Sequence, residues 1–122
     1  MSGPNVVDSS GWIEYLSGSG RADLYSEAVE DSANLIVPII SIYEVFKRFL
    51  RDGNESEALQ AAGTMISGRV IDLDLSLALE AAKLKLPLAD SLIYATARRF
   101  NATLWTQDAD MQKLQGVRYF PK

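Results

Sequence analysis

Two kinds of run alternate along the chain: short stretches rich in β-branched residues, and longer ones whose apolar side chains recur three and four positions apart. Asn5-Val6-Val7-Asp8 is the first short run, and Trp12, Ile13, Tyr15 and Leu16 follow it at helical spacing. A loop at 17–20 leads to a second helix over 22–30. The apolar run 35–40 is the next strand candidate, with Pro38 confining its ladder to an edge or an end. Ile42, Val45, Phe46, Phe49 and Leu50 then mark a helix that ends near Asp52-Gly53, and Ser41 with Glu44 reads as a capping box. A further helix is predicted over 54–67 with Asn54 as its cap.

The second half repeats the pattern. A short strand over 69–73 precedes an Ala- and Leu-rich helix over 75–84, which Pro87 separates from the next one. Over 89–100 the positions Leu92, Ile93, Thr96, Ala97 and Phe100 form a stripe, and Asn101 ends the helix. A strand over 103–106, a short helix from Ala109 and a last strand over 117–120 complete the chain. Strands alternating with helices predict βαβ units, and so an α/β fold: a three-layer α/β/α sandwich around a mainly parallel sheet. At 122 residues the length suits a single domain over 1–122.

Composition narrows the chemistry. The chain has no His and no Cys, which excludes imidazole acid/base catalysis, thiol nucleophiles, disulfides, Cys/His zinc sites and Ser/His/Asp hydrolysis. Any bound metal must take oxygen ligands, which suits the hard cations magnesium, manganese and calcium. A net charge of -4 is not that of a generic basic nucleic-acid coat, but a metal and a local basic patch are compatible with an RNA substrate. No apolar run is long enough for a membrane span, and Met1-Ser2-Gly3-Pro4-Asn5 lacks the form of a secretory signal, so a cytoplasmic location is expected.

Four acids fall at junctions that such a fold brings to one edge. Ligands of an open parallel sheet bind outside the carboxyl ends of its strands. Asp8 follows the first strand, Glu44 lies early in the helix after the second, Asp90 opens the 89–100 helix, and Asp108 follows the 103–106 strand. Taken singly, each is explained at least as well by helix capping, and Glu44 also by a solvated helix face. Together they are harder to explain. Two unit charges ~4 Å apart repel by roughly 4 kcal/mol at an effective dielectric near 20, so converging carboxylates need a cation or they protonate. An aspartyl nucleophile of the haloacid dehalogenase type, a response-regulator receiver, an EF-hand and a Walker phosphate loop all lack their required residues.

The motifs Asn5-Val6-Val7-Asp8-Ser9-Ser10, Ser41-Ile42-Tyr43-Glu44-Val45, Leu86-Pro87-Leu88-Ala89-Asp90-Ser91-Leu92-Ile93-Tyr94-Ala95-Thr96-Ala97 and Thr103-Leu104-Trp105-Thr106-Gln107-Asp108 occur in this order over nearly the whole chain. In them the sequence resembles a PIN domain of the VapC toxin type. The resemblance implies a metal-dependent endoribonuclease that cleaves RNA phosphodiesters with Mg2+ or Mn2+. It matches Asp8, Glu44, Asp90 and Asp108 to the family's four acids, as both catalytic and metal-binding residues. Asp110 is a candidate to share the role of Asp108, and Thr106 matches a supporting hydroxyl position. The implied partners are an RNA substrate, a small DNA-binding antitoxin of the VapB type and a second copy of the chain in a homodimer. The stretch from Leu84 to Pro87 is about one helical turn shorter than the family pattern.

On this reading Asp8 and Asp90 are the direct metal ligands, Asp108 completes or water-bridges the site, and Glu44 orients or deprotonates the attacking water or binds a second cation. Lys47, Arg48, Arg51, Arg98 and Arg99 are candidates for holding substrate; a solvated face with pairs such as Glu44 to Arg48 is the simpler account. Trp12 and Tyr15 are candidates for base stacking or for receiving a partner, against the commoner role of core packing. The competing functions are a catalytically weak PIN-like module that binds RNA or protein, and an RNA-processing nuclease outside any toxin-antitoxin pair.

Overall fold

The computed structural model describes residues 3–122, so Met1 and Ser2, part of the segment read for a leader, lie outside the described residues. Five short strands run parallel. β1 (Asn5–Val7), β4 (Thr103–Thr106) and β5 (Val117–Tyr119) form one ladder in the order β1-β4-β5, and β2 (Ile36–Pro38) pairs with β3 (Arg69–Ile71). A parallel bridge between Asn5 and Leu35 aligns the two ladders, giving β3-β2-β1-β4-β5 across the molecule. Leaving β1, the chain adds β2 and β3 on one side and β4 and β5 on the other. The gap between β1 and β4 is therefore the topological switch point, where an open parallel sheet offers a crevice.

Strand alternation sorts the core into two layers. Val7, Val37 and Trp105 face one side, where they pack with Trp12 of α1 (Ser9–Ser17), Tyr25 and Ala28 of α2 (Asp23–Glu30), Val45 of α3 (Ile39–Asp52), and Ala61 and Met65 of α4 (Glu55–Met65). Val6, Ile36 and Leu104 face the other, against Ile93, Tyr94 and Ala97 of α6 (Leu88–Arg99). Leu77 and Ala81 of α5 (Leu75–Ala82) cover Leu92 and Ala95. The expected α/β/α sandwich is the observed one. α6 is more enclosed than its predicted stripe, for every residue from Ser91 to Ala97 is buried.

Caps set the helix starts. Asp8, Asn54 and Asp74 each accept a hydrogen bond from the backbone N–H three residues on, which begins α1, α4 and α5. Asn101, with φ of 51°, takes the left-handed conformation that ends α6. The predicted capping box at Ser41 is not formed: Pro38 ends β2 and its fixed φ leads straight into α3 at Ile39, so Ser41 is already the third residue of the helix, fully buried. Ile39 and Ile40, predicted as strand, are accordingly helical. At Gly11 an added Cβ would stand 2.6 Å from the Tyr25 ring, so close packing of α1 on α2 requires glycine there. No helix among the described residues is long and apolar enough to cross a membrane.

Candidate active site

Asp8 emerges from β1 at the switch point. Its N–H continues the ladder to the Trp105 carbonyl at 3.1 Å, and its side chain caps α1. One carboxylate oxygen accepts from Gly11 N at 3.0 Å and Ser10 Oγ at 3.1 Å; the other accepts from the Thr106 hydroxyl at the end of β4. Thr106 Oγ1 in turn accepts from Asp108 N at 3.0 Å. One buried hydroxyl thus links the ends of the two strands flanking the crevice. Burial pushes the Asp8 carboxyl up from its ordinary range; the bonds from Thr106, Gly11 and Ser10 oppose that rise, and the charge of Asp108 adds to it.

Asp90 stands in the first turn of α6, where Pro87 is the N-cap residue and makes no side-chain cap. Its carboxyl is pushed up to about 6, first by burial and then by the charges of Asp108, Asp8 and Glu44. Three other elements therefore bring a carboxylate within electrostatic reach of Asp90: β1 through Asp8, α3 through Glu44 and the end of β4 through Asp108. Glu44 is half-buried rather than solvated, and it accepts from Ser9 Oγ at 2.6 Å. Asp108 caps the 3-10 turn Ala109–Met111 through Asp110 N at 2.9 Å, while Asp110 itself is exposed.

None of the ion pairs among the described residues involves these four acids. No group of three or more acidic side chains among the described residues is placed to hold a metal ion as it stands. Asp8 is engaged by neutral donors, and Asp90 lies within hydrogen-bonding reach of Asp108. The donor set fits a hard divalent cation, being all oxygen, partly buried and short of positive charge.

The basic candidates are mostly occupied elsewhere. Arg48 pairs with Asp52 at 2.7 Å, not with Glu44, and Arg51 joins Asp52 at 2.9 Å. Arg99 pairs with Asp74 at 3.0 Å, and with Arg98 it lies at the far end of α6 from Asp90. Lys47 sits over the Tyr43 ring at 5.5 Å on the exposed side of α3. Trp12 is fully buried core, and the Tyr15 hydroxyl donates to Glu30 at 2.8 Å. Two clefts of about 480 Å³ lie nearby, and of the four acids only Asp108 lines either of them. One runs between α1 and α3 past Ile13 and Phe49, the other passes Asp108 and Tyr119, and they share Ser10, Gln107 and Lys122. The sequence reading missed Gln107, which is 5% exposed and bonds to Arg21 and Glu14.

The PIN domain family model matches residues 6–117. Among solved structures the chain is similar to a toxin-antitoxin complex from Klebsiella pneumoniae, with 24% identity, 93% of this chain and 95% of that chain covered, and a TM-score of 0.76. It is also similar to VapC20 of Mycobacterium tuberculosis, a sarcin-ricin loop cleaving toxin, with 16% identity, coverage of 95% and 98%, and a TM-score of 0.76. VapBC2 from Rickettsia felis, bound to a DNA fragment from its promoter, matches at 12% identity, coverage of 96% and 98%, and a TM-score of 0.74. At these identities the structures establish a shared fold. No curated protein sequence matches the chain significantly.

Proposed function

The chain belongs to the PIN domain family, and on that premise we propose that it is a metal-dependent endoribonuclease acting as the toxin of a toxin-antitoxin pair in the cytoplasm. The observation that carries the reading is the placement of acids from β1, α3, α6 and the end of β4 without a counter-charge: Asp8, Glu44 and Asp108 all act on Asp90, whose carboxyl burial and these charges push up to about 6. Asp8 is buried, the other three are partly buried, and none of the four is in an ion pair among the described residues. A capping role for Asp8 and Asp108 is real and compatible with it, because a cap uses part of a carboxylate and fixes where the rest points.

Mg2+ or Mn2+ would be held by Asp8 and Asp90 directly, with Asp108 bound directly or through water. Such a cation, when bound, lowers the pKa of water and stabilises charge on phosphoryl oxygens. The chain supplies the rest. Thr106 and the Gly11 N–H hold Asp8 in one orientation, and Ser9 holds Glu44 where it orients or deprotonates the attacking water, or where it serves a second cation. The clefts that meet at Ser10, Gln107 and Lys122 have the volume of a small-ligand site, and a single RNA strand lying in the one past Tyr119 would pass Asp108.

Partner assignments belong to the same proposal. The toxin-antitoxin neighbours and the cleft past Ile13 and Phe49 support an antitoxin of the VapB type whose arm lies in that cleft. Leu75, Leu79 and Leu88 expose apolar side chains and support a homodimer. The test is incubation of purified, partner-free protein with total RNA, with Mg2+ or Mn2+ and with chelator. Specific cuts that need the metal and vanish in Asp8→Asn are expected. Uncut RNA across a broad set, with the protein folded and metal present, would instead identify a binding module.

A further inference from the structure

Gln107 lies between Thr106, which holds Asp8, and Asp108, yet its own side chain turns to a different set of partners. Arg21 Nε donates to Gln107 Oε1 at 2.7 Å, and Gln107 Nε2 donates to Glu14 Oε2 at 2.9 Å. Glu14 Oε1 accepts from Ser19 Oγ at 2.6 Å, and Ser19 Oγ accepts from Arg21 N at 3.1 Å. The ring closes on itself through four residues. Arg21 Nη2 also donates to the carbonyls of Phe120 at 3.1 Å and Pro121 at 3.3 Å, just after β5. The ring therefore joins α1, the connection from α1 to α2, the end of β4 and the segment after β5.

Three features separate this ring from ordinary surface polarity. Gln107 is nearly buried, and both atoms of its amide are used, so removing either partner leaves a buried polar atom unpaired. The bonds to Glu14 and from Arg21 involve charged groups and are stronger than neutral ones. Hydrogen bonds from Ser19 and then Gln107 hold the Glu14 carboxyl below its usual range. Gln107 also ties the residues just before Asp108 to Glu14 inside α1, beside the bond from Thr106 to the α1 cap Asp8. Its peptide joins Thr106 Oγ1, the donor to Asp8, to Asp108 N, the donor to Thr106.

We propose that Gln107 is a positioning residue, which Glu14 and Arg21 lock so that Thr106 and Asp108 are preset for the cation. The inference rests on the metal-nuclease reading of the four acids. Groups bonded directly to metal ligands typically account for about 10–100-fold in metal affinity or activity; the Gln107 amide stands one step further out, bonded to Arg21 and Glu14, so its truncation should be felt at the lower end of that range.

The experiment measures Mn2+ binding calorimetrically, with no RNA present, and RNA cleavage in parallel. Gln107→Ala should weaken Mn2+ binding about tenfold and lower kcat by a similar factor, with KM for RNA changed less than about twofold. Gln107→Met, which fills the volume without the amide, should do the same and serves if Gln107→Ala does not fold. The reciprocal pair Glu14→Gln with Gln107→Glu, which exchanges the carboxylate and the amide, should restore Mn2+ binding to within about threefold. Asp74→Ala, which removes a cap and an ion pair elsewhere, should lower the melting temperature and leave Mn2+ binding unchanged. Mn2+ affinity and kcat within about twofold of wild type in Gln107→Ala or Gln107→Met would overturn the inference and leave the ring as scaffold. A wild type that binds Mn2+ but cuts no RNA would overturn the nuclease reading while the Mn2+ comparison still decides the role of Gln107; a wild type that binds no Mn2+ would overturn both.

Discussion

Aspartates at two places in this molecule lie in opposite environments. Asp52 and Asp74 sit on helix surfaces, each bonded to arginine, and their carboxyls are held low, Asp52 at about 2. Asp8 and Asp90 sit at the switch point of the sheet, partly or wholly buried and without a cationic partner, and their carboxyls are pushed up. Arginines are present on α3 and α6, yet they pair with the surface aspartates. Asp52 and Asp74 thus have a counter-charge within the chain, and Asp8 and Asp90 have none among the described residues.

The largest expected difference between the two groups is in activity. Asp8→Asn and Asp90→Asn should each lower RNA cleavage by more than the about 10–100-fold typical of an outer-shell change, measured as kcat/KM with saturating Mg2+. Asp74→Asn, away from both clefts, should leave cleavage within about twofold. Asn caps a helix about as well as Asp, so capping alone cannot account for a loss in Asp8→Asn. Retained cleavage in both site variants would make the acids structural.

A second effect isolates the link between strands. Thr106→Val keeps the shape of the buried side chain but deprives Asp8 of the hydroxyl that opposes its desolvation. Loss of a buried hydrogen bond to a charged group costs about 1–3 kcal/mol, so the urea midpoint of the variant should fall at neutral pH. The loss should shrink in acid, where a protonated Asp8 needs the hydroxyl less. An unchanged midpoint at pH 7 would show that Thr106 does not support the charge on Asp8.

Much of this frame was legible in the sequence, because strands and caps leave local signals. The β-branched run at Val6 and Val7, the cap at Asn54 and the left-handed Asn101 each act within a few residues, and each was placed correctly. That Asp8, Glu44 and Asp108 lie near enough to act on Asp90 has its cause in topology, since parallel strands bring their carboxyl ends to one edge. What escaped depends on distant pairing: Arg21 meets Gln107 across 86 positions, and Ser9 meets Glu44 across 35. No periodicity marks such pairs. The misplaced start of α3 has a local cause, for Ser41 and Glu44 have capping-box spacing, but Pro38 opens the helix before Ser41 can. Arg48 had Glu44 four residues before it and Asp52 four after, and spacing alone did not choose between them.

The third effect is on stability without metal. With a folded-state value of about 6 against about 3.9 for an unfolded aspartate, Asp90 binds its proton more tightly in the native state. Its contribution to stability is thus fully present below about pH 4 and is lost as pH rises through about 6. Asp90→Asn should therefore raise stability at pH 7 in chelator, by an amount on the order of 1 kcal/mol once solvent screening is allowed for. Saturating Mg2+ should stabilise wild type more than the variant, because binding to the native state alone adds stability with occupancy. Equal melting temperatures in chelator across pH 4–7 would remove the repulsion from the account.

The smallest effect carries the opposite sign. Asp74 accepts from Leu77 N at 2.8 Å as a cap and pairs with Arg99 at 3.0 Å, and both partners hold its carboxyl low, Arg99 foremost. A lowered value contributes stability above the unfolded pKa, which is lost as pH falls through the folded one. Asp74→Asn keeps the cap and removes the pair, and an exposed ion pair contributes little. The melting temperature at pH 7 should drop by no more than about 2 °C, and the drop should shrink in high salt, which screens the exposed pair. In chelator at pH 7, then, the same chemical change should destabilise slightly at 74 and stabilise at 90. If both variants moved the melting temperature the same way, the two groups of aspartates would not differ in the way that their surroundings require, and the case for an unneutralised site at the switch point would fail with that difference.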